Sequence, residues 1–188
     1  NLARFAETLL PLLHPEEAPA IEVATAALGG FAQRYQHHWL AGMRRKLGLF
    51  TAEPEDLALV EEFLAWMHAT KADFTNTFAD LTRDLPADDP RRTDAAFAAW
   101  HSRWQVRLGR QPHSPAESRA LQRAHNPAVI ARNHRVEAAL AAAERGDLSV
   151  LERLNDVLAT PYDYDRPTPA DISPPPAGGA DYQTFCGT

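Results

Sequence analysis

Residues 97–108 read FAAWHSRWQVRL, and this stretch decides the fold class. Its large apolar residues, Phe97, Trp100, Trp104 and Leu108, follow one another at intervals of three and four, which places them on one stripe of an α-helix. The same spacing recurs in the segments on either side, whereas the β-branched and aromatic runs that mark strands are missing from the sequence. The sequence therefore predicts an all-α fold, an irregular array of several helices.

Capping residues predict where individual helices begin and end. The string Ser114-Pro115-Ala116-Glu117 combines an N-cap, a proline at the first helical position and an acid at N3, which predicts a helix start. Asp73 is expected to cap a shorter helix. Gly48 and Gly146 each follow a helical pattern and are expected to end it. Gly29-Gly30 lies inside a long pattern and predicts a bend or a close helix crossing.

Further apolar faces extend the helical array. An opening helix places Leu2, Phe5, Leu9 and Leu12 on one side. The helix that starts near Pro54 is predicted to bury one face, which is formed by Leu57, Val60, Leu64 and Met67. An alanine-rich helix from about Asn133 to Arg145 and a helix opened by a cap-like Ser149 are predicted to form a helical hairpin.

The proline content divides the chain into two parts. We predict a helical domain over residues 1–160 and an extended, proline-rich tail over 161–188, because six of the fifteen prolines and Gly178-Gly179 lie in that last segment. Such a segment cannot form a core of its own. The chain also starts without methionine, inside an amphipathic pattern, which we interpret as a fragment of a larger protein.

Composition excludes several classes of protein. The net charge is −6, with no basic stripe that could displace counterions from nucleic acid. No apolar run is long enough to span a bilayer, and the N-terminus does not resemble a signal peptide. Cys186 is the only cysteine, so the chain cannot form an internal disulfide, and a reducing compartment such as the cytoplasm is expected. We expect neither nucleic-acid nor membrane binding.

Candidate ligand residues have simpler structural interpretations. The adjacent His37 and His38 point to different faces of a helix, and a pair of this kind is usually one packed and one exposed residue. The cations of Met43-Arg44-Arg45-Lys46 could contact phosphate but also suit a helix C-terminus. The carboxylates of Asp163-Tyr164-Asp165 could hold a divalent ion, although two acids in a flexible tail are weak evidence for a metal site. The tryptophans could line a pocket, although core packing fits their spacing better.

Catalytic motifs with local signatures are absent from the sequence. There is no phosphate-binding glycine loop, GxSxG or HExxH motif, so we predict no catalytic, cofactor-binding or metal-binding residue in this chain. Cys186, two residues from the end of the tail, is the one redox candidate, since an accessible thiol suits mixed-disulfide formation. Its alternative role is a small apolar plug beside Phe185.

Several strings together resemble the C-terminal region of the selenoprotein O family. They are distributed from the first residue to the last and keep the family's order. They are Asn1-Leu2-Ala3-Arg4 with Ala6-Glu7; Trp39 with the string MRRKLGL at 43–49; ADFTNTF at 72–78; Asn126-Pro127 with Ile130, Arg132-Asn133, Glu137, Ala143 and Gly146-Asp147; Pro161-Tyr162-Asp163; and YQTFCGT at 182–188. Ala131 departs from the pattern, since many relatives have proline there, and this puts only the local turn in doubt.

The resemblance implies a function that this chain cannot perform alone. Members of the family are kinase-like enzymes that use ATP with Mg²⁺ or Mn²⁺ to transfer AMP onto protein hydroxyls. Their nucleotide-binding and catalytic residues have no matching positions here. We therefore expect a structural and regulatory C-terminal part of a protein adenylyltransferase, whose partners are the missing N-terminal kinase-like core and the protein substrates. The resemblance also makes Cys186 a candidate for redox control.

Two other classes of function remain open at this point. A non-enzymatic helical module could bind a partner peptide or helix through apolar grooves, which needs no catalytic residue. A helical metalloenzyme is discouraged, because no two histidines are spaced four apart.

Overall fold

The computed structural model describes residues 1–83 and 89–174, and every regular element within those ranges is helical. The predicted all-α class is confirmed. The chain divides into two compact units, Asn1–Met43 and Arg44–Thr188. The predicted boundary at residue 160 stays a prediction, because residues 175–188 lie outside the described part of the chain.

The first unit is built from α1 (Leu2–Leu13), α2 (Glu17–Gly29) and most of α3 (Phe31–Lys46). Helices α1 and α2 pack against each other. The bend expected at Gly29-Gly30 is a break between two helices, with Gly30 at φ −79° and ψ −6°. Helix α2 begins at Glu17 and accommodates Pro19 in its first turn, where no N–H partner is needed.

The second unit contains the remaining helices. Its described elements are α4 (Asp56–Thr70), α5 (Phe74–Asp80), a 3-10 turn (Pro90–Arg92), α6 (Ala95–Gly109), α7 (Pro115–His125), α8 (Asn133–Glu144), α9 (Ser149–Leu158) and α10 (Pro169–Ile172). Helix α4 packs on α6, and α8 packs on α9 as the predicted hairpin requires.

Aromatic residues form the core between α4 and α6. The ring of Phe63 stacks on Trp100 with centroids 3.9 Å apart. The indole Nε1 of Trp100 donates to the carbonyl of Leu59 at 2.8 Å, and that of Trp104 donates to Leu47 at 2.9 Å. Because each buried indole N–H has a partner, both rings are buried without an unsatisfied donor. The interpretation of these tryptophans as core residues is confirmed.

One predicted face is partly wrong. Leu57 is exposed, whereas Leu59 and Phe63 are buried together with Val60 and Met67. The buried stripe of α4 is thus rotated from the predicted one. Leu57 and Phe63 both suit a three-and-four spacing with Val60, so the period alone could not decide which side faces α6.

The predicted caps agree with the structure at most positions. The Asp73 carboxylate accepts from the N–H of Asn76, and Ser114 with Glu117 forms a complete capping box. Gly48 and Gly146 end their helices at φ +76° and +86°. Ser149 is not the cap of α9: it is the first helical residue, and its hydroxyl donates to Asp147 at 2.6 Å.

The described part of the tail is bound to the second unit. The carbonyl of Pro161 accepts from the N–H of Ala128 at 2.7 Å, and the Asn76 amide donates to the carbonyl of Ile172 at 3.0 Å. Residues Pro169–Ile172 form the short helix α10 with its own capping box. The expectation of an entirely extended tail is therefore wrong for this segment, since the Thr168 cap and the N1 proline favour a helical turn.

Across residues 1–83 and 89–174, none of the helices has the length and apolar content needed to cross a membrane.

Candidate functional site

The first unit presents an apolar face that the described residues leave uncovered. On α1, Leu2 is 46% exposed, Phe5 62% and Leu12 81%. Ile21 and Val23 on α2 are also exposed. Leu2, Phe5 and Leu12 belong to the opening pattern in which the sequence predicted an amphipathic helix. The apolar side of α1 is the candidate docking site of the chain, because large apolar side chains exposed on one side of a helix are typical of interaction surfaces.

The interior of this unit is too small to hold it together. Its buried residues are Ala20, Ala24 and Met43, and two of these three are alanines. Burying a large aliphatic or aromatic side chain contributes about 1.5–3 kcal/mol, whereas ordering one residue costs about 1–2 kcal/mol in backbone entropy alone. The unit therefore needs an external surface for its stability.

The second unit is held by a buried ion cluster centred on Asp56. This carboxylate has no exposed surface. Its oxygens accept from Arg44 Nε at 2.6 Å, Arg107 Nε at 2.7 Å and the N–H of Glu53 at 2.8 Å. Burial alone would raise the pKa of Asp56, but these hydrogen bonds, with that from Arg107 the strongest, hold the pKa below its usual value.

A second polar cluster ties three segments together. The Asp73 carboxylate accepts from both terminal nitrogens of Arg132, at 2.7 and 3.0 Å, a bidentate pair. Arg132 also donates to the side-chain oxygen of Asn76 at 3.0 Å. Burial would raise the pKa of Asp73, yet the bonds from Arg132 and from the N–H of Asn76 lower it. The cluster fixes the start of α5 against the start of α8.

Lys46 and Asn126 form a third tie. The Lys46 ammonium donates to the carbonyl of His125 at 3.0 Å and to the side-chain oxygen of Asn126 at 3.2 Å. The Asn126 amide donates in return to the carbonyl of Lys46 at 2.9 Å. Burial lowers the pKa of Lys46. The ammonium thus caps the C-terminal end of α7, where a cation is favoured.

The sequence strings that carry the family resemblance contribute side chains to the last two of these clusters. The 43–49 string supplies Lys46, the 72–78 string supplies Asp73, and the string that begins at Asn126 supplies both Asn126 and Arg132. These residues bind one another in pairs: Lys46 with Asn126, and Asp73 with Arg132. Their role in the second unit is structural.

The structure also shows the surroundings of the other candidate ligand residues that the sequence suggested. His37 and His38 are both exposed, so the expectation of one packed ring is wrong. Arg44 binds Asp56 rather than a free phosphate site. The phenol of Tyr164 donates to a main-chain carbonyl at 2.9 Å.

The remaining candidates concern metals and redox chemistry. Among residues 1–83 and 89–174, no three His, Cys, Asp or Glu side chains are arranged to hold a metal ion. The Asp163 carboxylate accepts from the N–H of Asp165 at 3.0 Å, a local turn. Cys186, the redox candidate, lies outside the described residues.

Sequence reasoning missed the buried partners of these clusters. Arg107 lies on the predicted α6 and is almost fully buried, but charged residues are mostly exposed and nothing in the local sequence marks it. The position of Arg107, one turn after the buried Trp104 and two turns after Trp100, is the only signal that could have indicated its burial.

Comparison with known proteins places the chain in a family. The sequence model described as "Protein adenylyltransferase SelO" matches residues 1–159. Three relatives are each described as "Protein nucleotidyltransferase YdiU". They come from Syntrophotalea carbinolica, 52% identical over 190 residues, Halalkalibacterium halodurans, 49% over 189 residues, and Alkaliphilus metalliredigens, 48% over 190 residues.

Each of these alignments includes 100% of the chain and 38% of the relative. The chain thus spans well under half the length of the curated relatives that it matches. The identities are high, and the family model covers both units of the structure as far as the end of α9. This chain belongs to the protein adenylyltransferase SelO family.

Proposed function

We propose that the chain is the C-terminal helical part of an ATP-dependent protein adenylyltransferase, which transfers AMP from ATP to hydroxyl groups of proteins. The relatives' description as protein nucleotidyltransferases supports this activity for the longer protein. The nucleotide and a divalent metal, Mg²⁺ or Mn²⁺, would be held by residues outside this chain.

The observation that carries the proposal is the uncovered apolar face of the first unit. In the longer protein, Leu2, Phe5 and Leu12 would pack against the kinase-like core. Burial of Phe5 and Leu12 would stabilise the contact between α1 and the kinase-like core by about 1.5–3 kcal/mol for each side chain. The second unit would act as a rigid base, held by its Asp56 and Asp73 clusters. The chain's function would then be to support the catalytic core.

The test is AMP transfer from labelled ATP, with Mg²⁺ or Mn²⁺, by the longer protein and by the 188-residue chain alone. We expect transfer only in the longer protein. Substituting Phe5→Asp and Leu12→Asp together should reduce that transfer, because a charge cannot be buried against an apolar surface without a large penalty. Arg4→Asp, on the same helix but not on the apolar face, is the matched control.

Two results would contradict the proposal. Transfer by neither protein would favour the alternative, a helical module that binds a partner without catalysis. Transfer by the 188-residue chain alone would place an active site within it.

The proposed redox role of Cys186 has a separate test. If the thiol regulates the catalytic core, Cys186→Ser should remove the response of AMP transfer to oxidants in the longer protein. An unchanged response would eliminate the role without affecting the proposed transfer.

A further inference from the structure

A groove in the second unit has the chemistry to bind an acidic peptide, and we propose that it binds an acidic segment of a partner protein. It is formed by α6, α7, the end of α5 and the 3-10 turn, and its volume is about 1070 Å³. Small-ligand pockets are typically about 300–1,000 Å³, so the groove has room for several residues of an extended chain. The inference depends on this groove and not on the proposed AMP transfer.

The charge of the groove is opposite to that of the chain. The chain has a net charge of −6. Among residues 1–83 and 89–174, the groove lining contains four arginines, Arg83, Arg91, Arg92 and Arg119, and one carboxylate, Asp80. Arg91 binds both Asp80 at 3.0 Å and Asp89 at 2.6 Å, so its charge is balanced by these two carboxylates, and Arg83 and Arg119 contribute positive charge that no described ion pair balances. A basic groove on an acidic protein favours an acidic partner, because opposite potentials attract during encounter and binding.

Two of these arginines can bind a ligand without giving up an ion pair to a described residue. Within the described residues, Arg119 makes no hydrogen bond or ion pair, and it is exposed on α7. The guanidinium of Arg83 lies over the ring of Tyr164, 5.2 Å from its centroid, and has no ion-pair partner among the described residues. A carboxylate could bind either guanidinium without breaking an existing salt bridge.

The wall of the groove also contains unpaired polar atoms. Gln122 is 1% exposed, and its side-chain Nε2 has no hydrogen-bond partner in the described structure. The buried Nδ1 of His113 is also without a partner there. Buried polar atoms are normally hydrogen-bonded, so these two indicate a missing partner.

The distribution of the groove's side chains favours a peptide over a small anion. The arginines come from three separate parts of the fold: the end of α5, the 3-10 turn and α7. Apolar residues, including Leu108 and Pro115, lie between the polar ones. A single phosphate needs donors that converge on one point, whereas an extended segment with alternating acidic and apolar residues can use cations and apolar surface along its length.

Fluorescence anisotropy with the intact 188-residue chain tests the proposal. The probe is a fluorescein-labelled eight-residue peptide of alternating glutamate and leucine, compared with the same peptide in which glutamine replaces glutamate. We expect the glutamate peptide to bind more tightly, and its binding to weaken as salt is raised. Arg119→Glu should weaken its binding by about tenfold, and Arg83→Glu should act in the same direction.

The matched control is Arg145→Glu, which makes the same charge change at an exposed position outside the groove. It should leave the affinity within about twofold, a difference too small to indicate a lost contact. Equal weakening by Arg119→Glu and Arg145→Glu, equal binding of the two peptides, or no binding of the glutamate peptide would each overturn the proposal. Displacement of the bound peptide by inorganic phosphate at constant ionic strength would instead assign the groove to small anions.

Discussion

At the scale of single residues, Asp56 is a buried carboxylate held by several partners in the second unit. It is fully buried and shared by Arg44 and Arg107, so its removal would leave Arg44 without this carboxylate and Arg107 with the pair that it makes to Glu53 at 3.0 Å. Breaking a buried ion pair from one side costs about 3–5 kcal/mol, because the remaining charge stays desolvated.

We therefore expect Asp56→Ala to lower the free energy of unfolding by about 3–5 kcal/mol in urea titrations. Asp165→Ala removes a carboxylate of the same type from an exposed position and should change the stability by less than about 0.5 kcal/mol. A loss of less than about 1 kcal/mol for Asp56→Ala would mean that the cluster contributes little net stability.

The two carboxylates with lowered pKa values, Asp56 and Asp73, predict how stability depends on pH. Both values are lower in the folded chain than the usual value of about 3.9 expected when it is unfolded. The contribution of these two carboxylates to the free energy of unfolding is therefore complete above the unfolded-state pKa. It is lost as the pH falls through their folded-state pKa values. We expect acid unfolding to begin below about pH 4.

Asp73→Asn provides the measurement for this dependence. The variant should be less stable than the natural chain at pH 7, and the difference in unfolding free energy should shrink as the pH falls below the unfolded value of about 4. A difference that stays constant between pH 7 and pH 2 would show that the pairing of Asp73 with Arg132 is not linked to protonation.

At the scale of helices, two glycines that end helices allow the energetic cost of backbone strain to be distinguished from the cost of steric crowding. Gly48 and Gly146 have similar positive φ angles of +76° and +86°. A Cβ at Gly48 would lie 2.9 Å from the carbonyl oxygen of Ser118, whereas one at Gly146 would have no atom within 4 Å. The first glycine therefore permits a close approach to α7 as well as a left-handed turn.

Substitution by alanine should distinguish the two effects. Gly146→Ala should cost about 1 kcal/mol, the typical penalty of a left-handed conformation for a residue with a side chain. Gly48→Ala should cost clearly more, because the backbone of α7 must also move. Thermal unfolding of the two variants under the same conditions measures the difference. Equal costs would show that α7 adjusts freely.

The sequence predicted the helices well because their signals are local. A capping box or a terminal glycine acts within one turn, so Ser114 and Gly146 could be interpreted without knowledge of the fold. The side of α4 that is buried could not be determined in this way, since it depends on where α6 packs. Leu57 was wrongly placed in the core for that reason.

The polar clusters and the groove were beyond sequence reasoning for a related cause. The partners Arg107 and Asp56 are separated by 51 residues, and Asp73 and Arg132 by 59 residues. No local pattern links residues at such distances. The strings that resembled the selenoprotein O family did include Asp73 and Arg132, so the resemblance selected the right residues without showing that they bind each other.

At the scale of the whole molecule, the exposed face of the first unit predicts different effects in two proteins. Phe5→Ser and Leu12→Ser together should change the stability of the 188-residue chain by less than about 0.5 kcal/mol, because both side chains are already exposed. In the longer protein the same pair should lower the stability by several kcal/mol, since each buried large apolar residue contributes about 1.5–3 kcal/mol.

Urea unfolding of both proteins measures this contrast. Arg4→Ser is the control, because Arg4 lies on α1 and its ion pair with Glu7, at 2.8 Å, is exposed and of little net value. A similar loss in both proteins would contradict docking of the apolar face on the rest of the longer protein.

The ties made by Asn126 have a consequence for the speed of folding. Its side chain bonds to Lys46, 80 residues away along the chain, and its carbonyl accepts from Tyr164, 38 residues away. Contacts between such distant residues require large loops to close, and their entropy must be lost before the bonds are gained. We expect these bonds to form after the rate-limiting step. Asn126→Ala should therefore accelerate unfolding while it leaves the refolding rate nearly unchanged, so that Asn126 extends the lifetime of the folded chain.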